Sequence, residues 1–179
     1  GHVDFSAEME RTLQVLDYAV LIVSGADGVQ GHTETLWRLL KRYRIPVFLF
    51  VNKMDQKGMN QEVVLASLKE RLDHGIVDFS EVSGNCEILG TSDETAEEIA
   101  TCDEALLEAY LADGSLKTAD VRNAIQDRKL FPCFFGSALK LTGVREFLTS
   151  LGEFASCPDY TKDFGAKVFK ISRDETGVR

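Results

Sequence analysis

Three polar residues follow a buried apolar stretch and could recognise a nucleic acid base. Residues 47–58 have the sequence VFLFVNKMDQKG, in which an apolar run leads directly into Asn52, Lys53 and Asp55. A carboxylate accepts two parallel hydrogen bonds, and guanine offers a matching pair of donors in its ring N–H and its exocyclic amine. Adenine presents a ring lone pair at the same place, which a carboxylate repels. We therefore interpret Asp55 as the residue that selects guanine.

Asn52 and Lys53 have supporting roles in this hypothesis. The Asn52 amide is expected to brace the neighbouring loop and to reach the acceptor edge of the base. The Lys53 stem is expected to cover the base plane while its ammonium group stays solvated. The alternative is purely structural, since Asn52 and Asp55 can also cap the turn that follows a strand.

A second loop, GSALK at residues 136–140, is expected to complete the base pocket. Its backbone N–H groups at Ser137, Ala138 and Leu139, that of Ala138 above all, can donate to the guanine carbonyl, which adenine replaces with an amine. Small residues after a strand are common, so this motif gains weight only if its strand neighbours the one that ends in Asn52.

The pattern of apolar residues predicts an α/β fold with a parallel sheet flanked by helices. Three short, continuous apolar segments are typical of strands buried on both faces: YAVLIVSG from Tyr18, PVFLFVN from Pro46 and FPCFFGSA from Phe131. Amphipathic helices are predicted at residues 6–16, 33–43, 60–73 and 144–154, with Asn60 as the cap of the third. Such sheets bind ligands at the carboxyl ends of their strands.

An acidic segment interrupts this alternation. From Leu72 to Leu116 the chain has twelve acidic residues and no Lys or Arg. We interpret residues 76–127 as an inserted acidic, α-rich subdomain, with helices at 103–111 and 119–126 capped by Asp103 and Thr118. Residues 1–75 and 128–157 then form the α/β unit. Residues 158–179 are expected to be a linker and the first strand of a following β-barrel domain.

Composition excludes several classes of protein. The formal net charge of −9 over 179 residues argues against a general nucleic acid binder. No apolar run approaches the roughly 20 residues of a membrane span and no secretory segment is visible, so we expect a cytoplasmic protein without membrane contact. The four Cys and three His show no metal-binding spacing, and neither a metal site nor a disulfide scaffold is expected.

The motifs together resemble those of the P-loop GTPases. NKMD and GSA resemble their fourth and fifth motifs, and the opening GHVDFSAEMERTLQVLDYAVLIVSGADGVQGHTETLWR is similar to the third motif, D-x-x-G-H, of translational GTPases. The resemblance is strongest to elongation factor G and, within that group, to the tetracycline-resistance ribosomal protection proteins. It extends over nearly the whole chain, and the insertion resembles the extra subdomain of elongation factor G.

This resemblance implies that GTP or GDP is the ligand and that the intact parent hydrolyses GTP. Gly1 corresponds to the glycine whose N–H meets the γ-phosphate, and His2 to the catalytic histidine that orients the attacking water. Residues added in cloning are the alternative origin of Gly1 and His2. The phosphate-binding loop and the first switch of the family are absent from the sequence, so Mg²⁺ is expected in the parent with ligands outside this chain. The chain alone is expected to be inactive.

The resemblance also implies the ribosome as a partner. A second interpretation is a non-catalytic interaction module whose acidic insertion docks on a basic surface, by family analogy the ribosomal stalk. The residues expected to carry this docking are Glu94, Glu97, Glu98, Glu104 and Glu108. A third is an unrelated α/β enzyme with a chance N-K-M-D. Because the family's missing strands would pair beside YAVLIVSG, we also expect an exposed sheet edge there, hidden by homodimer formation or by rearrangement of the first helix.

Overall fold

The computed structural model describes residues 6–83, 88–156, 163–166, 168 and 171. Within this part, helices and strands alternate as the apolar pattern predicts, and the fold is α/β. The elements are α1 (Ser6–Leu13), β1 (Ala19–Ser24), α2 (Gly31–Arg42), β2 (Val47–Asn52), α3 (Gln61–Arg71), β3 (Ile76–Asp78), α4 (Asp93–Ala100), α5 (Glu104–Asp113), α6 (Thr118–Gln126), β4 (Phe131–Phe135) and α7 (Val144–Phe154).

The four strands of the described residues form one parallel sheet in the order β1-β2-β4-β3. Ser24 pairs with Asn52, and Val51 pairs with Phe135, so β1, β2 and β4 end at the same edge. The strand that ends in Asn52 therefore neighbours the strand that leads into GSALK. This neighbouring position is the condition under which GSALK was expected to complete the base pocket.

Strand β2 lies at the centre of the core and is buried on both faces, which confirms its continuous apolar pattern. Val47, Leu49 and Val51 face a cluster that includes side chains of α2 and α3. Phe48 and Phe50 face the opposite cluster, which side chains of α4, α5, α6 and α7 complete. Helices of the acidic insertion thus share a core with the main sheet.

Strand β1 differs from the prediction, because only one of its faces is buried. Leu21 and Val23 are buried, whereas Val20 is 42% and Ile22 65% exposed. The apolar cluster around Phe48 and Phe50 contains strand residues of β2, β3 and β4 but none of β1, so it does not cover the face of β1 that carries Val20 and Ile22. Since β1 is the outer strand of the sheet among the described residues, the expected exposed edge is present.

The insertion contains two elements that the sequence analysis missed and one helix start that it misplaced. Strand β3 pairs with β4, with Ile76 opposite Phe131, and so belongs to the main sheet. Helix α4 begins after Ser92, whose side chain accepts a hydrogen bond from the backbone N–H of Thr95. Helix α6 is capped by Lys117 rather than Thr118, because Thr118 is its first residue and is buried.

Some predictions lie outside the part of the chain that the structure describes. These are the roles of Gly1 and His2 and most of the strand expected after Pro158. Helix α1 ends at Leu13, earlier than the predicted Leu16. Among the described residues no helix has both the length and the apolar character needed to cross a membrane.

Candidate guanine-binding site

Backbone hydrogen bonds tie together the loops that leave β1, β2 and β4. The N–H of Gly25 donates to the carbonyl oxygen of Asn52 at 2.8 Å. The N–H of Met54 donates to the carbonyl of Gly136 at 3.0 Å, and the N–H of Gly136 donates to the carbonyl of Val51 at 2.9 Å. The sheet ladder therefore continues past the strand ends, and the polar side chains of the loops are held at fixed positions.

Asn52 braces this arrangement, as the sequence analysis expected. Its side-chain oxygen accepts hydrogen bonds from the backbone N–H of Lys53 at 2.8 Å and of Ala138 at 2.9 Å. Both partners are donors, so the atom that receives them must be the amide oxygen Oδ1. The Nδ2 group donates to none of the described residues and remains available to an acceptor on a ligand.

The Asp55 carboxylate is held by two groups from the loop after β4. Lys140 Nζ lies 3.1 Å from Asp55 Oδ2, and the Ser137 side chain also forms a hydrogen bond to the carboxylate. These two bonds, that from Lys140 first, lower the pKa of Asp55 below its ordinary value of 3.8. Asp55 is therefore ionised at neutral pH, as a carboxylate that accepts two donors must be.

Lys53 adopts a conformation that few residues other than glycine adopt. Its φ is +66°, in the left-handed region. Its ammonium group lies 3.8 Å from Oδ2 of Asp27, in the loop after β1, and both side chains are more than half exposed. Asp27 thus holds the charged end of Lys53 at the edge of the site, while the stem stays available to a flat ligand.

The loop 136–143 is closed by a short antiparallel pair and by two glycines. Ser137 and Thr142 exchange hydrogen bonds of 3.0 and 3.1 Å between their backbones. A Cβ on Gly136 would lie 2.1 Å from the carbonyl oxygen of Thr142, so a side chain there requires the loop to move. Gly143 has a φ of +74°, and a Cβ there would lie 2.3 Å from the carbonyl oxygen of Phe135.

The donors of this loop are distributed differently from the prediction. The N–H of Ala138 is already engaged by Asn52, so a guanine carbonyl would have to share or displace that bond. The N–H of Leu139 donates to no described residue, and its side chain is 91% exposed. The N–H of Ser137 donates to the carbonyl of Thr142, so of the three predicted donors only that of Leu139 is available without rearrangement.

Two contributors to the site were missed by the sequence analysis. Lys140 stands within the quoted GSALK motif, but nothing in its residue type indicated that it would pair with Asp55 rather than with solvent. Asp27 lies in a loop at the carboxyl end of a predicted strand, and that position was the only available signal. Both act on residues that were predicted, Lys140 on Asp55 and Asp27 on Lys53.

The arrangement suits a flat base with two adjacent donors and an acceptor edge. The Asp55 carboxylate can accept the donor pair, the Nδ2 of Asn52 can donate to a ring nitrogen, and the N–H of Leu139 can donate to a carbonyl. Among the described residues, no group of three or more His, Cys, Asp or Glu side chains is placed to hold a metal ion.

Comparison with known families decides what this arrangement belongs to. The family model of the Elongation factor Tu GTP binding domain matches residues 1–156. The chain belongs to this family. It is therefore a GTP-binding domain of the translational GTPase type, and the resemblance derived from NKMD, GSA and GHVDF is confirmed.

Curated relatives of this GTP-binding domain place it near the tetracycline resistance proteins. It is 33% identical over 184 aligned residues to the Tetracycline resistance protein TetO of Streptococcus mutans and 32% identical to that of Campylobacter coli. Each alignment covers 98% of this chain but only 29% of the relative. The chain thus spans less than a third of the length of these proteins.

A solved structure supports the fold of the domain. A crystal structure of a protein from Thermus thermophilus superimposes with a TM-score of 0.67 and 22% sequence identity. The match covers 87% of this chain and 29% of that protein. At this identity the comparison shows the α/β fold alone.

Proposed function

We propose that this domain recognises guanine nucleotides through the loops after β2 and β4. The observation that carries the proposal is the double hydrogen bond to Asn52 Oδ1, which joins the two loops and leaves Nδ2 unengaged. In this proposal the Asp55 carboxylate accepts the ring N–H and the exocyclic amine of guanine, and the N–H of Leu139 donates to the guanine carbonyl. Ala138 contributes if its bond to Asn52 opens.

Selectivity against adenine arises from Asp55. An ionised carboxylate that faces the adenine ring nitrogen loses both hydrogen bonds and is repelled by a lone pair, and a site of this kind rejects the wrong ligand strongly. The Lys140 ammonium pairs with Asp55 and must move or share the carboxylate oxygen when a base enters. The Lys53 stem covers one face of the base.

Hydrolysis belongs to the proposal for the intact protein. Gly1 would donate its N–H to the γ-phosphate and His2 would orient the water that attacks it, since phosphoryl transfer depends mainly on positioning and charge stabilisation. We propose that the chain alone does not hydrolyse GTP. Mg²⁺ would be held in the intact protein by the phosphate-binding loop and first switch of the family, which this sequence does not contain.

An exchange of the selecting group tests base recognition. Asp55→Asn replaces an acceptor with an amide that can donate, and xanthine carries an oxygen where guanine carries its amine. We expect the variant to lose about 100-fold in GDP affinity and to prefer xanthosine diphosphate. Asp127→Asn is the matched control, because Asp127 is an exposed carboxylate that precedes β4, at the opposite end of that strand from the site, and should leave base preference unchanged. An Asp55→Asn variant that still prefers GDP would refute the proposal.

A second candidate function is docking of the ribosomal stalk through the acidic insertion. Glu94, Glu97, Glu104 and Glu108 are exposed on α4 and α5, and Leu111 beside them is 76% exposed. Glu98 is half-buried and pairs with Lys69 of α3, so it does not belong to this surface. Binding to purified stalk protein that weakens with salt, and that is lost when the four exposed glutamates are changed to Gln, would support docking.

We make three further proposals, on the partner, the location and the self-association of the protein. The ribosome is the proposed partner of the intact protein, and the cytoplasm its proposed location. The exposed edge of β1 is proposed to pair with a second copy of the isolated chain, because Val20 and Ile22 present apolar side chains beside unpaired backbone groups. Light scattering that shows only monomer at high concentration would contradict this last proposal.

A further inference from the structure

The outward face of α2 and the turn after it carry a basic patch on a protein of net charge −9. The patch consists of Arg38, Lys41, Arg42 and Arg44, and all four side chains are exposed. Between residues 35 and 54 the sequence has no Asp or Glu. None of the ion pairs found among the described residues involves any of the four. Within the described part of the chain, no ion pair compensates their charges.

The side chains of this basic patch are spaced like ligands for a row of anions. Arg38, Lys41 and Arg42 are related by three and four residues and so lie on one side of the helix. Arg38 and Arg42 are separated by about 6 Å along the helix axis. This separation is close to that of successive phosphates along a nucleic acid strand. Three of the four cations are arginines, whose planar guanidinium group can bind phosphate oxygens with two parallel hydrogen bonds.

A groove beside the basic patch brings two of its cations together. The groove has a volume of about 400 Å³ and lies between α2 and α3, lined by Trp37, Arg38, Lys41 and Arg71 among others. Trp37 is only 4% exposed, yet its indole N–H has no hydrogen bond partner in the described part of the chain. Arg71 is already neutralised by Glu34 at 2.6 Å, so it shapes the groove without adding net charge. Trp37 therefore forms part of the wall of the groove, and Arg38 and Lys41 supply the exposed cations that can bind an anionic oxygen there.

We propose that the basic patch binds the phosphate backbone of folded RNA, with one phosphate in the groove beside Trp37. A lipid surface is disfavoured, because residues 31–46 contribute none of the exposed large apolar side chains found in the described structure. An acidic protein is disfavoured by the excess of arginine in a row at phosphate spacing. This inference goes beyond guanine recognition and does not depend on it.

Salt dependence provides the quantitative expectation. Each phosphate neutralised by a cation contributes about −0.7 to −0.9 to the slope of log K against log salt, so three or four contacts give a slope of roughly −2 to −4. Affinity for RNA should then fall by about 20- to 150-fold between 50 and 200 mM salt. A protein with a net charge of −9 and no local basic site would show no such binding.

The test uses this chain and a fluorescently labelled RNA hairpin of defined sequence, measured by fluorescence anisotropy. The variant Arg38→Gln/Lys41→Gln/Arg42→Gln is compared with the control Lys57→Gln/Lys117→Gln/Arg145→Gln, which removes the same charge from exposed positions elsewhere. We expect the first variant to lose binding at 50 mM salt by at least 20-fold and the salt slope to fall by 2 or more, and the control to change affinity less than 3-fold. Melting temperatures verify that both variants remain folded.

Three results would overturn the inference. The first is no salt-dependent RNA binding by the unmodified chain at 50 mM salt. The second is an equal loss of binding in the two triple variants, which would show that only net charge matters. The third is binding of poly-glutamate or of anionic phospholipid vesicles at least as tightly as RNA, which would assign the patch to an acidic protein or to a membrane surface.

Discussion

Replacement of Asn52 by Ala should weaken both the fold and the connection between the two site loops. The Asn52 side chain accepts two backbone hydrogen bonds, of 2.8 and 2.9 Å, at a half-buried position. A protein hydrogen bond contributes about 1 kcal/mol net, so the loss of both should lower the free energy of unfolding by about 2 kcal/mol. With an m-value of about 2 kcal/mol per molar urea, the midpoint should fall by about 1 M.

The assay combines urea unfolding with hydrogen exchange of single amides. In the Asn52→Ala variant the amide of Ala138 should lose protection, because its acceptor is gone. Asn52→Asp is the matched control: it keeps an acceptor oxygen and should recover at least half of the lost stability, but it cannot donate to a base. If Asn52→Ala is as stable as the unmodified chain and the amide of Ala138 is still protected, the Asn52 side chain does not hold the two loops together.

Three other perturbations follow from the same geometry. Lys140→Met removes the largest cause of the lowered pKa of Asp55, so that pKa should rise toward 3.8 in a carboxyl NMR titration. The ion pair stabilises the fold at neutral pH, and this stabilisation is lost as pH falls through the lowered pKa of Asp55. An unchanged pKa of Asp55 in the variant would contradict the pairing with Lys140. Gly136→Ala should lower the free energy of unfolding, measured with urea, by about 2–4 kcal/mol, because the new Cβ would meet the carbonyl oxygen of Thr142. Gly152→Ala, with open space around its Cβ in α7, is the control and should be neutral or stabilising by up to about 1 kcal/mol. Equal effects of the two substitutions would contradict the close approach of Gly136 to Thr142. Burial raises the pKa of Cys102 to about 11. Alkylation of Cys102 at pH 8, measured by peptide mass spectrometry, should therefore be about 100-fold slower than that of a thiol of ordinary pKa, and it should accelerate as pH rises. Rapid alkylation at pH 8 would contradict the raised pKa.

The elements predicted best are those whose own residues carry both pattern and boundary signals. Helix α7 extends from Val144 to Phe154 as predicted, and Asn60 caps α3 by accepting a hydrogen bond from Val63 at 3.1 Å. The errors depend on neighbours in space. Strand β3 has three residues, too few for an apolar pattern, and is defined only by its pairing with β4. Asp103 stands at the predicted cap of α5, but its carboxylate pairs with Lys129 instead.

The candidate site shows the same division. Asn52 and Asp55 were predicted because few chemistries require their types at that spacing after a buried strand. The contributions of Lys140 and Asp27 are set by loop conformations that bring residues of different strands together, which no local pattern indicates. The engagement of the Ala138 N–H by Asn52 is likewise a property of the folded loops rather than of either motif alone.

The most direct test of the central claim is a titration of this chain with fluorescent GDP and fluorescent ADP, each with and without magnesium. If the loops after β2 and β4 already form a guanine pocket, GDP should bind at least about 10-fold more tightly than ADP, and the preference should not depend on magnesium. Equal binding of the two nucleotides, or no binding of either, would contradict the account of the pocket built on Asn52 and Asp55.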